Sequence, residues 1–181
     1  PETHQVFDGI KAGSMVRAQY TYCQGVVLGL ETELAVRTQD PRHGERVRRL
    51  VSAVAKEMTT DGVIKGAGGG DGGLFNSILA RYLALVATSL PGDSAEDVAA
   101  RDTAKSLVLK SAQSAWDYRQ TVDGLPLFGP FWDRNAEVPT ARTASGGNPC
   151  SRSANPASAD SPRAKAAASS LLSAPSPAAR R

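Results

Sequence analysis

Residues 40–58 carry every signal of a helix with one buried side. Asp40 suits the N-cap, where a short acidic side chain can accept from a free backbone N–H, and Pro41 suits the first helical position. Val47, Leu50, Val51, Val54 and Met58 then recur at spacings of three and four, with Arg42, Glu45, Arg49, Ser52 and Lys56 on the opposite face. A helix with a single apolar side must lie against other elements, and the rest of the sequence offers helices for it. One spans Tyr22 to Thr38, with Val26, Val27, Leu30 and Leu34 in helical register. Another carries Leu74, Ile78, Tyr82, Leu85 and Val86 and stops at Pro91-Gly92. A fourth opens on Ser94 with Asp97 three residues later, a capping-box pattern. It continues through Val98, Ala104, Leu107, Val108 and Ala112 to about Tyr118. Asp61-Gly62 ends the second helix, and no segment alternates as a strand would. The expectation is an all-α fold of antiparallel helical hairpins.

Three features interrupt this pattern. Gly25 and Gly29 lie inside the first helix, where each costs about 1 kcal/mol relative to Ala. Close approach of another backbone, or of a ligand, accounts for such a pair. The stretch Gly66 to Gly73 (GAGGGDGG) forbids regular structure, and Asp71 is its only charge. Leu125 to Trp132 (LPLFGPFW) gathers Phe128, Phe131 and Trp132, either as a platform for a sugar or as a plug on the core, with the plug favoured.

The last 43 residues, Pro139 to Arg181, hold 12 Ala, 9 Ser and 6 Pro and no aromatic residue. They bury too little apolar surface to offset ordering entropy, so a disordered C-terminal tail is expected, with the folded domain over 1–138. This tail has a net charge of +5, which leaves −2 for the other 138 residues of a chain whose total is +3. The folded part is therefore not basic, and nucleic acid is not an expected partner. No run reaches the roughly 18 apolar residues that span a membrane. Cys23 and Cys150 make neither a disulfide framework nor a metal pattern. The glycine stretch lacks the Lys-Ser/Thr of a phosphate-binding loop, so no metal or cofactor is implied. His4 and His43 read as isolated.

Several short runs resemble one family. Phe7-Asp8-Gly9-Ile10 is followed by Tyr20-Thr21-Tyr22-Cys23-Gln24-Gly25 and Val26-Val27-Leu28-Gly29. Arg37-Thr38-Gln39-Asp40-Pro41-Arg42 comes next, then Asp71-Gly72-Gly73-Leu74-Phe75-Asn76 with Arg81-Tyr82-Leu83, then Leu127-Phe128-Gly129-Pro130-Phe131-Trp132. In this order they resemble the D-G-I, T-Y-N-Q-G-x-x-x-G, T-G-D-P-x-Y, D-G-x-x-F-K-G-I-F-x-R-Y-L and L-F-G-x-x-W segments of the family-76 glycoside hydrolases. Cys23 stands where the family has Asn, and Asn76 where it has Lys. The helix that follows the last motif in the family gives way to the Ala/Ser/Pro tail.

The resemblance implies a partial (α/α)6-type helical toroid and, for the parent family, hydrolysis of α-1,6-mannosidic bonds in mannan-type polysaccharide. It places the family's catalytic Asp-Asp pair upstream of the T-Y-N-Q-G helix. No such pair occurs in this sequence, so no catalytic residue is assigned, and a fragment inactive alone is expected. A non-catalytic carbohydrate-binding or scaffold role is the alternative. The implied substrate-binding residues are Asp8, Tyr22, Gln24, Asp71, Phe75 and Trp132. Asp71 serves equally as an N-cap of the third helix, and Tyr22 as a core residue with its hydroxyl at the edge. Glu31, Glu33, Glu96 and Asp97 read as structural. The opening has no apolar signal segment, and Pro1 in place of Met implies further sequence upstream, so the compartment is left to the family, whose polymeric substrates lie outside the cytoplasm.

Overall fold

The computed structural model describes residues 3–68 and 70–139. Nearly all of the tail, with Cys150, lies outside them. The described residues form helices α1 (Thr21–Thr38), α2 (Pro41–Glu57), α3 (Phe75–Ser89) and α4 (Ala95–Asp117). Antiparallel hairpins precede α1 (β1 Gly9–Lys11, β2 Ser14–Val16), follow α2 (β3 Thr59–Thr60, β4 Val63–Ile64) and follow α4 (β5 Gln120–Val122, β6 Leu125–Leu127). The helices pack in two layers, α1 on α3 and α2 on α4, with α1 also on α2 and α3 on α4. The all-α expectation holds as a set of helical hairpins, and the small β-hairpins are an addition to it.

The β-hairpins have a visible cause. Each turns through two residues with positive φ: Ala12-Gly13, Asp61-Gly62 and Asp123-Gly124. Both central residues of a type I′ turn need positive φ, which is why Asp-Gly favours two-residue hairpins. Asp61-Gly62 thus reverses a strand pair instead of merely ending α2. Strands of two or three residues are too short to show alternation.

Helix α2 buries Val47, Leu50, Val51, Ala53 and Val54, with Met58 at its C-cap, and the Asp40 carboxylate accepts from the Arg42 backbone N–H at 2.9 Å. Helix α1 differs from its expected stripe. Its buried side is Thr21, Gln24, Gly25, Leu28, Thr32 and Ala35, while Val26 and Leu30 are exposed. The two glycines set this. A Cβ on Gly25 would lie 2.9 Å from Leu79 Cα, and one on Gly29 would lie 2.3 Å from the Tyr82 ring. Close helix packing is therefore what these glycines provide, and it turns α1 so that Gly25 and Gly29 meet α3. Helix α3 correspondingly buries Asn76, Leu79, Leu83 and Val86 in place of Ile78 and Leu85. In α4 the buried side is Asp97, Ala100, Ala104, Leu107 and Ser111, so Val98 and Ala112 lie outside it. Leu28, Val47, Val54, Leu79, Leu83, Val86 and Ala104 make the centre of one core across all four helices.

The connections divide the helices into two ends. Residues 39–40 join α1 to α2 and 90–94 join α3 to α4. At the opposite end lie the long connection 58–74, both flanking hairpins and the residues on either side of them. Among the described residues no helix is long and apolar enough to cross a membrane.

Candidate functional site

At the long-connection end three of the six expected site residues, Asp8, Tyr22 and Phe75, come into contact. Asp8 is fixed by its backbone N–H, which donates to the Ala18 carbonyl at 2.8 Å and closes the base of the β1–β2 hairpin. The Tyr22 phenol, on the first turn of α1, donates to Asp8 Oδ1. The Cys23 thiol donates to the same oxygen at 3.6 Å. Both donors converge on Oδ1, and among the described residues Oδ2 has no partner. Asp8 is exposed, so that second oxygen is presented outward. The hydrogen bond to Asp8 holds the Tyr22 phenol well above its ordinary pKa, because ionising it would remove the donor beside a carboxylate. Burial pushes the Cys23 thiol up as well, against the opposing pull of Tyr22.

Phe75 opens α3 and meets this pair from the other helix. Its ring centroid lies 4.5 Å from that of Tyr22 and 5.3 Å from that of Tyr20. Tyr20 stacks nearly parallel to Tyr22 at 6.0 Å. Tyr20, Tyr22 and Phe75 thus form an aromatic wall beside a carboxylate, with spacings in the favourable range for ring pairs. Tyr20 was not among the expected site residues. It lies two residues before Tyr22, and only the turn into the helix brings the rings together.

Gln24, Asp71 and Trp132 are placed differently. Gln24 is fully buried, and its amide is consumed by the backbone. It accepts from Val6 N–H at 2.7 Å and donates to the carbonyls of Val6 at 2.8 Å and Tyr20 at 3.1 Å. The residue ties the N-terminal segment to α1, and its amide is engaged by the backbone. Asp71 is exposed in a 3-10 turn, Gly70–Leu74, that leads into α3. The N-cap of α3 is Leu74 without a side-chain cap, so Asp71 is not the cap either. Trp132 packs against the hydrophobic core, and its carbonyl accepts from Ser114 Oγ at 2.7 Å. Its half-buried ring plugs the core and makes no ring contact with Tyr20, Tyr22 or Phe75.

The L-F-G-P-F-W segment is seated by backbone contacts. Asn76 Nδ2 donates to the Pro130 carbonyl at 3.1 Å. A Cβ on Gly66 would fall 2.1 Å from that same carbonyl oxygen, so only glycine lets the two strands of chain lie together. Asn76, which departs from the family motif, is fully buried and holds this segment beside Phe75.

The remaining carboxylates brace the helices. Glu31 on α1 receives His43 Nδ1 at 2.5 Å and Arg46 at 3.0 Å from α2. His43, read as isolated, therefore has a partner, and the pair belongs to the short-connection end, far along α1 from Tyr22. Asp97 accepts from the Ser94 hydroxyl at 2.7 Å and from Arg48 at 2.5 Å. Burial alone would raise its pKa, but the hydrogen bonds from Ser94 and Arg48 outweigh that and hold it below the usual range. Among the described residues no group of His, Cys, Asp and Glu could hold a metal ion. A depression of about 670 Å³ runs along the α1–α3 face between Val26, Leu30, Tyr82 and Leu85, and its lining includes none of the six expected residues.

Comparison with known proteins gives this arrangement a context. The structure is similar to that of the α-1,6-mannanase of Salegentibacter sp. HEL1_6, with a TM-score of 0.65 and 29% identity over 76% of this chain and 41% of that one. An inactive variant of that mannanase, with two consecutive aspartates replaced by alanine, was crystallised with α-1,6-mannotetrose and matches with a TM-score of 0.64 and 28% identity over 76% and 41%. The Lin0763 protein from Listeria innocua matches with a TM-score of 0.61 and 29% identity, over 76% of this chain and 38% of that one. The chain thus spans about two fifths of the length of the structures it matches. No curated protein matches it. Residues 1–148 match the model of glycosyl hydrolase family 76, and the chain belongs to that family.

Proposed function

We propose that the described residues form one wall of a groove for α-1,6-linked mannan, and that they position the polysaccharide without cleaving it. The observation that carries this reading is the meeting of Asp8, Tyr22 and Phe75 at one end of the helices. A mannose ring has an apolar C–H face that suits the Tyr22–Phe75 wall, and hydroxyls that suit the outward oxygen of Asp8. Tyr22 contributes its ring and spends its hydroxyl on orienting Asp8. Asp71, on the turn before Phe75, is a second exposed acceptor at this end of the helices. The structural neighbours crystallised with α-1,6-mannooligosaccharides support mannan over other polymers.

Cleavage of a glycosidic bond needs two carboxyl groups about 5–10 Å apart, facing each other across the bond. The sequence has no adjacent aspartate pair, and Glu96-Asp97 is engaged in capping α4. The chain therefore binds mannan and releases no reducing ends by itself. Incubating the full chain with α-1,6-mannan, with parallel assays of reducing-end release and of retention on the polymer, tests both halves. Retention without release is expected. Cleavage would overturn the non-catalytic assignment, and absence of retention would overturn the groove.

A further inference from the structure

The exposed rings that this reading leaves unused lie at the same end of the helices. Trp116, in the last turn of α4, is 52% exposed, and Phe128, just after β6, is 47% exposed. Their centroids are 6.4 Å apart and their planes meet at 39°, which makes an open V instead of a closed stack. The Arg119 guanidinium sits 3.9 Å from the Trp116 ring centroid and donates to the Trp116 carbonyl. It steadies the indole from one side and keeps further N–H donors at the rim, since a guanidinium carries five. Gln113, one turn before Trp116 on α4, is joined to Asp117 by a 2.9 Å hydrogen bond, and the pair adds an amide and a carboxylate nearby.

Two half-exposed rings beside a guanidinium, an amide and a carboxylate suit a ligand with an apolar face and a hydroxyl rim. A pyranose is such a ligand. The chain also links this pair to the first site. Phe128 leads through Gly129 to Pro130, whose carbonyl is held by Asn76, next to Phe75. An extended polysaccharide lying along this end would meet both sets of rings.

We propose that Trp116 and Phe128 form an outer stacking platform that takes a further pyranose of the same mannan chain. The identity of the sugar rests on the mannan reading above; the platform itself rests on the Trp116–Phe128–Arg119 geometry. Because both rings stand at the surface, they can be replaced without opening the core.

The test uses the full chain in affinity electrophoresis through gels containing α-1,6-mannan, with Trp fluorescence during titration with α-1,6-mannotetraose. Trp116→Ala and Phe128→Ala are each expected to weaken retention about threefold to tenfold, in line with the energy of one aromatic contact, with the melting temperature unchanged. Trp116→Phe is expected to recover most of the loss. Asp8→Asn separates the two claims, because it touches only the first site. Loss of retention in Asp8→Asn alone would overturn the platform and leave the first site standing. Loss in Trp116→Ala and Phe128→Ala alone would support the platform and remove the first site. No retention of the unaltered chain overturns both. Trp116 shielded from acrylamide in the absence of sugar would show that protein covers the V, which also overturns the platform.

Discussion

The two ends of the same four helices are built from different materials. At the short-connection end charges are paired: Asp40 with Arg42, Glu31 with His43 and Arg46, Asp97 with Ser94 and Arg48. Each of these links fixes a helix start or ties one helix to another. At the long-connection end the fixed groups are backbone carbonyls, held by Gln24, Asn76 and Ser114. There the carboxylates of Asp8 and Asp71 face outward and aromatic rings stand partly in solvent. One end uses its polar side chains to brace the helices, while the other uses buried amides and a hydroxyl to seat loops and leaves rings and carboxylates exposed.

The contrast predicts that substitutions will separate stability from binding. The largest loss is expected from Gln24→Ala, which empties a buried site and leaves the Val6 N–H and carbonyl unpaired, at about 3 kcal/mol in a denaturant titration. A wild-type midpoint would show that Gln24 is not the tether. Gly25→Ala drives a Cβ into the backbone of α3 and is expected to cost about 2 kcal/mol by the same titration. Asp97→Asn leaves Arg48 without its charged partner and is expected to cost about 1–2 kcal/mol with mannan retention unchanged. Asp8→Asn and Phe75→Ala should do the reverse, weakening mannan retention about tenfold each, with the melting temperature within a degree or two for Asp8→Asn.

Acid should act on the charged end first. The Asp97 carboxyl lies below its ordinary pKa when folded, and that of Asp40 falls to about 2 through its Arg42 partner. The unfolded chain therefore binds more protons than the folded one just below pH 4, and stability falls as pH drops through that window. Asp97→Asn should flatten the acid arm of a melting-versus-pH curve. Asp40→Asn should change it least, because its partner Arg42 is largely exposed.

The sequence made α2 legible in full, because a strict apolar stripe, an N-cap and a Pro all agree there. It misled for α1, where the obvious stripe of Val26 and Leu30 stays exposed and two glycines with Gln24 and Thr32 are buried. Pattern alone weighs a glycine as a cost, whereas the packing uses it as a contact surface. Asp61-Gly62 and Asp123-Gly124 carried the β-hairpins openly, but their strands are too short to show a period. At the site, Asp8, Tyr22 and Phe75 were named from family motifs, and the structure brings them together. Gln24 and Trp132 came from the same motifs, yet a motif does not say whether its residue faces the ligand or the core. Trp116 lay outside every motif, and only its position across from Phe128 marks it.

The central claim is that sugar meets the long-connection end and leaves the other untouched. Hydrogen–deuterium exchange of the full chain with and without α-1,6-mannotetraose tests it most directly. Protection is expected in peptides covering 7–24 and 70–76, and in those covering 113–128, with none at 38–43 or 90–97. Protection confined to the short connections, or none anywhere at millimolar sugar, would contradict the account.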